Sequence, residues 1–146
     1  MIKLISDLIM AERLDITDDD IASLSGYMGS WVTLDSNAHL TLTSAAAVPA
    51  YPIWNESAVL AETSRGFTQD VTETGKLTVL TGHHKALTNQ YSGTPAIGER
   101  LATAATGVLE TNATPGQGMV VAVCTKAPHS VEYRGTTFTC IEYETL

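Results

Sequence analysis

The chain has 146 residues, enough for one domain or one domain with an arm, and long enough to bury a core without disulfide or metal staples. Apolar residues make up 44% and charged residues only 16%, and Thr is the commonest type, which excludes a coiled coil, a charged helical bundle and a disordered acidic tail. Eight Lys and Arg against sixteen Asp and Glu leave a formal net charge of -8, which argues against nucleic acid as a partner, because that partner needs a cationic surface.

Residues 1 to about 30 read differently from the rest. Ile2, Ile5, Leu8 and Ile9 recur at roughly helical spacing, with Lys3, Asp7, Glu12 and Arg13 between them. A short amphipathic helix or an apolar arm fits this pattern. Thr17 followed by Asp18, Asp19 and Asp20 reads as a helix N-cap with acids in the first turn, and Gly26 would end that helix.

From Trp31 to the end, residues 31–146, the signal is a single β domain. Trp31 to Leu34 and Leu40 to Thr43 are β-prone runs around the turn Asp35-Ser36-Asn37. An extended segment over 44–55 carries Pro49 and Pro52, which disfavour a helix. Strands are expected over Ala58 to Glu62, Lys76 to Thr81 and Ala86 to Tyr91. Glu99 to Thr103 and Val108 to Thr111 read as a hairpin around Ala104 to Gly107. A turn is expected over Pro115 to Gly118. Met119 to Thr125 is apolar at every alternate position in both phases, so it is expected to be a central strand buried on both sides. Val131 to Tyr133 and Thr137 to Tyr143 close a last hairpin at Arg134-Gly135. The apolar phase flips between Cys140 and Ile141, which predicts a bulge or a strand passing from core to interface. Short strands punctuated by Gly and Pro predict a mainly β fold, a small barrel or sandwich, with the N-terminal arm or short helix appended.

Two cysteines, Cys124 and Cys140, are too few for a disulfide framework or a Cys-based zinc site, and both sit in apolar runs. They read as buried thiols, with pairing left open. The N-terminus does not read as a secretory signal, since Asp7 interrupts its apolar stretch. The longest apolar run, Met119 to Cys124, is far too short to span a bilayer, so no membrane partner is expected. Asn55-Glu56-Ser57 and Asn112-Ala113-Thr114 match a glycosylation pattern that is common by chance.

The residues that could carry chemistry are scattered. His83 and His84, adjacent on a strand, would point to opposite faces and not share an ion. His39 and His129 lie in separate turn-like regions. No Gly-x-Ser-x-Gly elbow occurs, Asp18 to Asp20 lacks the spacing of a calcium loop, and the glycines form no phosphate cradle. We therefore expect no catalytic residues, no metal site, no cofactor and no enzyme. Trp31, Tyr51 and Trp54 are either core or a partner surface, since aromatics beside prolines often anchor an interface.

Residues 76–82 (KLTVLTG), 86–91 (ALTNQY), 97–101 (IGERL), 106–109 (TGVL) and 118–124 (GMVVAVC) follow one another in a recurring order. Over the second half of the chain this order resembles the head decoration (cement) proteins of tailed bacteriophages. The resemblance implies a small β-barrel or β-tulip domain with an extended N-terminal arm. It implies a virion protein, made in the bacterial cytoplasm, that sits on the outer capsid surface. Its partners would be the major capsid protein and itself, as a homotrimer or homodimer. The arm role would fall to Met1 through about Arg13, with Ile2, Ile5, Leu8 and Ile9 facing the partner. Residues 44–55 could contribute Tyr51 and Trp54. Two competing readings are a tail-tube or baseplate β subunit, and a ligand- or carbohydrate-binding β domain.

Overall fold

The computed structural model describes residues 2–5, 11–15, 29–43, 50–54, 76–104, 107–111, 120–133 and 135–146. Among them there is no helix, and the protein is mainly β. The strands are β1 (Ile2–Leu4), β2 (Ala11–Asp15), β3 (Trp31–Leu34), β4 (Leu40–Leu42), β5 (Ala50–Pro52), β6 (Lys76–Leu80), β7 (Lys85–Thr88), β8 (Arg100–Thr103), β9 (Leu109–Thr111), β10 (Val120–Tyr133) and β11 (Thr136–Thr145).

One layer is a six-stranded antiparallel sheet in the order β1-β7-β11-β10-β8-β9. The other runs β4-β3-β5 and continues into β6-β2. The junction is the Ile53–Val79 bridge and the bond from Trp54 N to Thr78 O, 2.8 Å. Beyond β7 the chain leaves the sheet and returns along its far edge. There Leu109 N donates to Gln90 O and Ser92 N to Leu109 O. Among the described residues the sheet does not close into a barrel.

Alternation along the strands builds two apolar clusters. Trp31 and Leu80 of the second layer meet Ala86, Leu101, Leu109, Ala122, Cys124, Ile141 and Tyr143 of the first. Their sequence neighbours Val32 and Val79 point the other way, into a second cluster with Leu40, Ile53 and Leu77. Each fully buried Val, Leu or Ile contributes about 1.5–3 kcal/mol relative to exposure. Trp31 is 1% exposed and tilts against Tyr143 at 5.8 Å between centroids. Of the two readings left open for Trp31, core is the one that holds.

Several local expectations hold for chemical reasons. Asp35 closes the β3–β4 turn by accepting the backbone N–H groups of Asn37 and His39 at 2.8 and 2.9 Å. Those bonds, His39 first, hold its carboxyl below the usual range. The β8–β9 and β10–β11 hairpins fall where expected, with Gly107 and Gly135 at positive φ. The phase flip at Cys140–Ile141 lies opposite a register shift between Lys126 and His129, and both residues are fully buried. The unmatched residues are on β10, where Pro128 has no N–H to give to a ladder.

Three expectations are corrected. Ile2–Leu4 is not a helical turn or a free arm but the edge strand of the six-stranded sheet, paired with Thr88 to Ala86. Ala11–Asp15 is a strand along β6. Over so few residues the Ile2-Lys3-Leu4 alternation fits a strand as well as a helix, and pairing with β7 decides it. β10 is central, yet it is not buried on both sides. Ala122 and Cys124 are buried, while Val121 and Val123 are only half-buried. The expected helix after Thr17, the strand over Ala58 to Glu62, the turn over Pro115 to Gly118 and both glycosylation patterns (Asn55 and Asn112) lie outside the described residues.

Candidate functional site

A cleft of about 250 Å³ opens where the two layers part. Its walls are Trp31, Ala50, Tyr51 and Pro52 on one side, the β6–β7 link from Leu80 to His84 below, and Val120, Val121, Thr145 and Leu146 opposite. The link crosses from one layer to the other, so its two histidines straddle the core boundary. His83 is exposed and lies 3.4 Å from Glu144. His84 is 2% exposed, so the adjacent histidines do point apart.

The chemistry of His84 is committed internally. Gly82 O accepts from Nδ1–H at 2.7 Å, which leaves Nε2 to accept from the Tyr143 hydroxyl at 3.2 Å. The rings meet edge to face at 5.6 Å. Burial pushes the His84 pKa down, and burial raises that of Tyr143. Thr145 Oγ1 accepts from His84 N at 2.8 Å, and Thr145 N donates to His84 O at 3.0 Å. The His84–Tyr143–Thr145 network is therefore neutral and satisfied, and it latches the end of β11.

A second polar group lies on β7, β10 and β11. Glu142 faces Lys126 Nζ at 3.3 Å, Lys85 Nζ at 3.8 Å and His129 Nε2 at 3.8 Å. The register shifts on either side of Lys126 set it opposite Glu142. No sequence pattern marks this hub, because its members are spread over nearly 60 residues and only the strand register collects them. Among the described residues no three His, Cys, Asp or Glu side chains converge as a metal site.

The expected interface residues separate on inspection. Ile2 is 7% exposed and belongs to the core, so it is not available to a partner. Ile5 is 46% exposed, and Tyr51 and Trp54 are half-buried, Tyr51 in the cleft wall. Leu8 and Ile9 lie outside the described residues. The structure adds Ile97, which is 70% exposed. It sits on a turn pinned by bonds from Glu99 N to Ala96 O, from Gly98 N to Cys124 O and from Cys124 N to Glu99 O. Glu99 Oε2 also accepts from Ala96 N at 2.8 Å. The sequence showed only Ile97 next to Gly98; the pinning comes from β10.

Both cysteines are free and buried. Cys124 stands opposite Tyr143, three residues along β11 from Cys140. That is about 10 Å at ~3.3 Å per residue, beyond the roughly 4.4–6.8 Å of a disulfide. Burial raises both thiol pKa values. Set beside known proteins, the chain matches no family model, no curated protein and no solved structure.

Proposed function

We propose that the chain is a structural virion protein that binds the outside of an expanded phage capsid and stabilises it by bridging neighbouring capsid subunits. The observation that carries this reading is a rigid β core that presents apolar contact points on fixed backbone, above all Ile97 on its pinned turn. A side chain held this way loses little entropy on docking. The polar groups at the cleft floor and around Glu142 are engaged with one another, which suits scaffolding better than reaction chemistry. A net charge of -8 keeps an outer surface soluble and away from packaged DNA. A protein that binds only the assembled shell adds its binding energy to the shell, and many copies multiply modest contacts.

Co-sedimentation with expanded, undecorated capsids tests the proposal. Saturable binding at a fixed ratio to capsid subunits is expected, with little binding to unexpanded shells and with loss of affinity in Ile97→Asp. Rings or tubes formed by the free protein would move it to the tail. The cleft between the layers favours one further reading, a ligand- or carbohydrate-binding domain. In that case glycans would perturb Tyr51 or Trp31, which line the cleft, and capsids would not bind.

A further inference from the structure

The β6–β7 link is fastened to the last strand by a histidine, the side chain that changes charge nearest neutrality. His84 N donates to Thr145 Oγ1 at 2.8 Å, Thr145 Oγ1 donates to His84 O at 3.2 Å, and Thr145 N donates to the same carbonyl at 3.0 Å. The ring adds its bonds to the Tyr143 hydroxyl and to Gly82 O. His84 precedes the β7–β11 ladder, whose last pair is Lys85–Glu144. Its bonds therefore extend the pairing past the ladder to Thr145, next to Leu146, which is 74% exposed.

This arrangement fits the neutral ring. A second proton, on Nε2, sets an N–H against the Tyr143 O–H. The hydroxyl must then turn its own proton away, and among the described residues it has no other hydrogen-bond partner. The charge also lacks a counter-ion. On the link, His83 beside it is a like charge when protonated. On β7, Lys85 is a cation and faces Glu142 at 3.8 Å. On β11, Tyr143 brings a hydroxyl, and Glu144 lies against His83 at 3.4 Å. The other cleft walls, Trp31 of β3, Ala50 to Pro52 of β5 and Val120 and Val121 of β10, bring no carboxylate. An unpaired charge is costly to hold at a residue that is 2% exposed. Solvent is close by, because His84 and Thr145 both line the cleft.

We propose that His84 is an acid-released latch. When the ring takes its second proton it swings from Tyr143 into the cleft, Thr145 loses its bonds to the link, and the end of β11 comes free. The β10–β11 ladder and the two apolar clusters stay packed. Burial holds the folded pKa of His84 below the free value of about 6.5. The latch is therefore fully closed above that free value and is released as pH falls through the lower, folded one. Between the two values the ratio of released to latched molecules rises about tenfold per pH unit. The inference rests on no part of the capsid reading.

The test is amide hydrogen exchange of the full chain, read by NMR from pH 7.5 to 5 and corrected for the pH dependence of the intrinsic rates. Protection at His84 and Thr145 is expected to lie below that of Val32 and Cys124 and to fall about tenfold per pH unit below about 6.5, in step with the His84 ring shifts. Low concentrations of urea should leave it unchanged, because the release exposes little surface, while Val32 and Cys124 lose protection. His83→Gln should keep the response and His84→Gln should abolish it. If His84→Gln does not fold, the wild-type curves decide the matter. Three results overturn the proposal: protection at Thr145 that does not follow the titration of His84, exchange there as sensitive to urea as at Val32 and Cys124, or a response that vanishes in His83→Gln.

Discussion

Gly107 packs directly against β3, and its replacement by Ala gives a sharp test of the fold. A Cβ there would lie 2.5 Å from Trp31 O, 3.0 Å from Trp31 N and 3.2 Å from Leu42 Cδ2. The first two are backbone atoms of a buried strand and cannot swing aside. The residue also has φ of +73°, in the left-handed region. The conformation alone costs an alanine roughly 1–2 kcal/mol. Overpacking against fixed atoms adds roughly 1–3 kcal/mol. Gly107→Ala should therefore lose about 2–5 kcal/mol, a large part of the ~5–15 kcal/mol typical of a domain. Gly98 and Gly135 are the controls: φ is +86° and +75°, and nothing lies within 4 Å of the added Cβ. Gly98→Ala and Gly135→Ala should lose only the conformational part, about 1–2 kcal/mol. Urea titrations of the three variants against wild type, read by Trp fluorescence, measure the difference. If Gly107→Ala is no worse than its controls, the packing of β3 on the β8–β9 turn is wrong.

His84 has its pKa depressed on folding, chiefly by burial, so its contribution to stability is present above the unfolded pKa of about 6.5 and is lost as pH falls through the folded value. Denaturation midpoints taken from pH 7.5 to 5 should fall, and the fall should flatten in His84→Gln; an unchanged profile in that variant would remove His84 from the cause. Tyr143→Phe leaves His84 Nε2 as a buried acceptor without its donor, at a cost of about 1–3 kcal/mol, checked by the same titrations. Deleting Met1 to Arg13 removes β1 and most of β2, including core residue Ile2, and should abolish cooperative unfolding; a folded truncated chain would return that segment to the arm reading. Cys124 and Cys140 should resist alkylation in the native protein, react together in denaturant, and form no internal disulfide under mild oxidation, with mass spectrometry as the readout.

Much of the strand plan was legible in the residues themselves. β-branched runs between Asp-Ser-Asn, Ala-to-Gly107 and Arg-Gly turns place β3, β4, β8, β9 and the last hairpin, because turn chemistry and alternation act within a few residues. The doubled phase at Cys140–Ile141 even announced the register shift beside Pro128. What failed was whatever depended on a distant partner. Ile2 to Leu4 looked helical until β7 supplied a neighbour across more than 80 residues. Trp31 could have been surface or core, and Tyr143 from the far end of the chain settles it. The cleft-floor network of His84, Tyr143 and Thr145 and the hub around Glu142 leave no mark in any short window. Local propensity and side-chain alternation by themselves determined that this chain is a small, mainly β protein with two buried thiols. Only the tertiary structure decided which strands pair, which edges stay open and which polar groups meet, because those outcomes follow from long-range register.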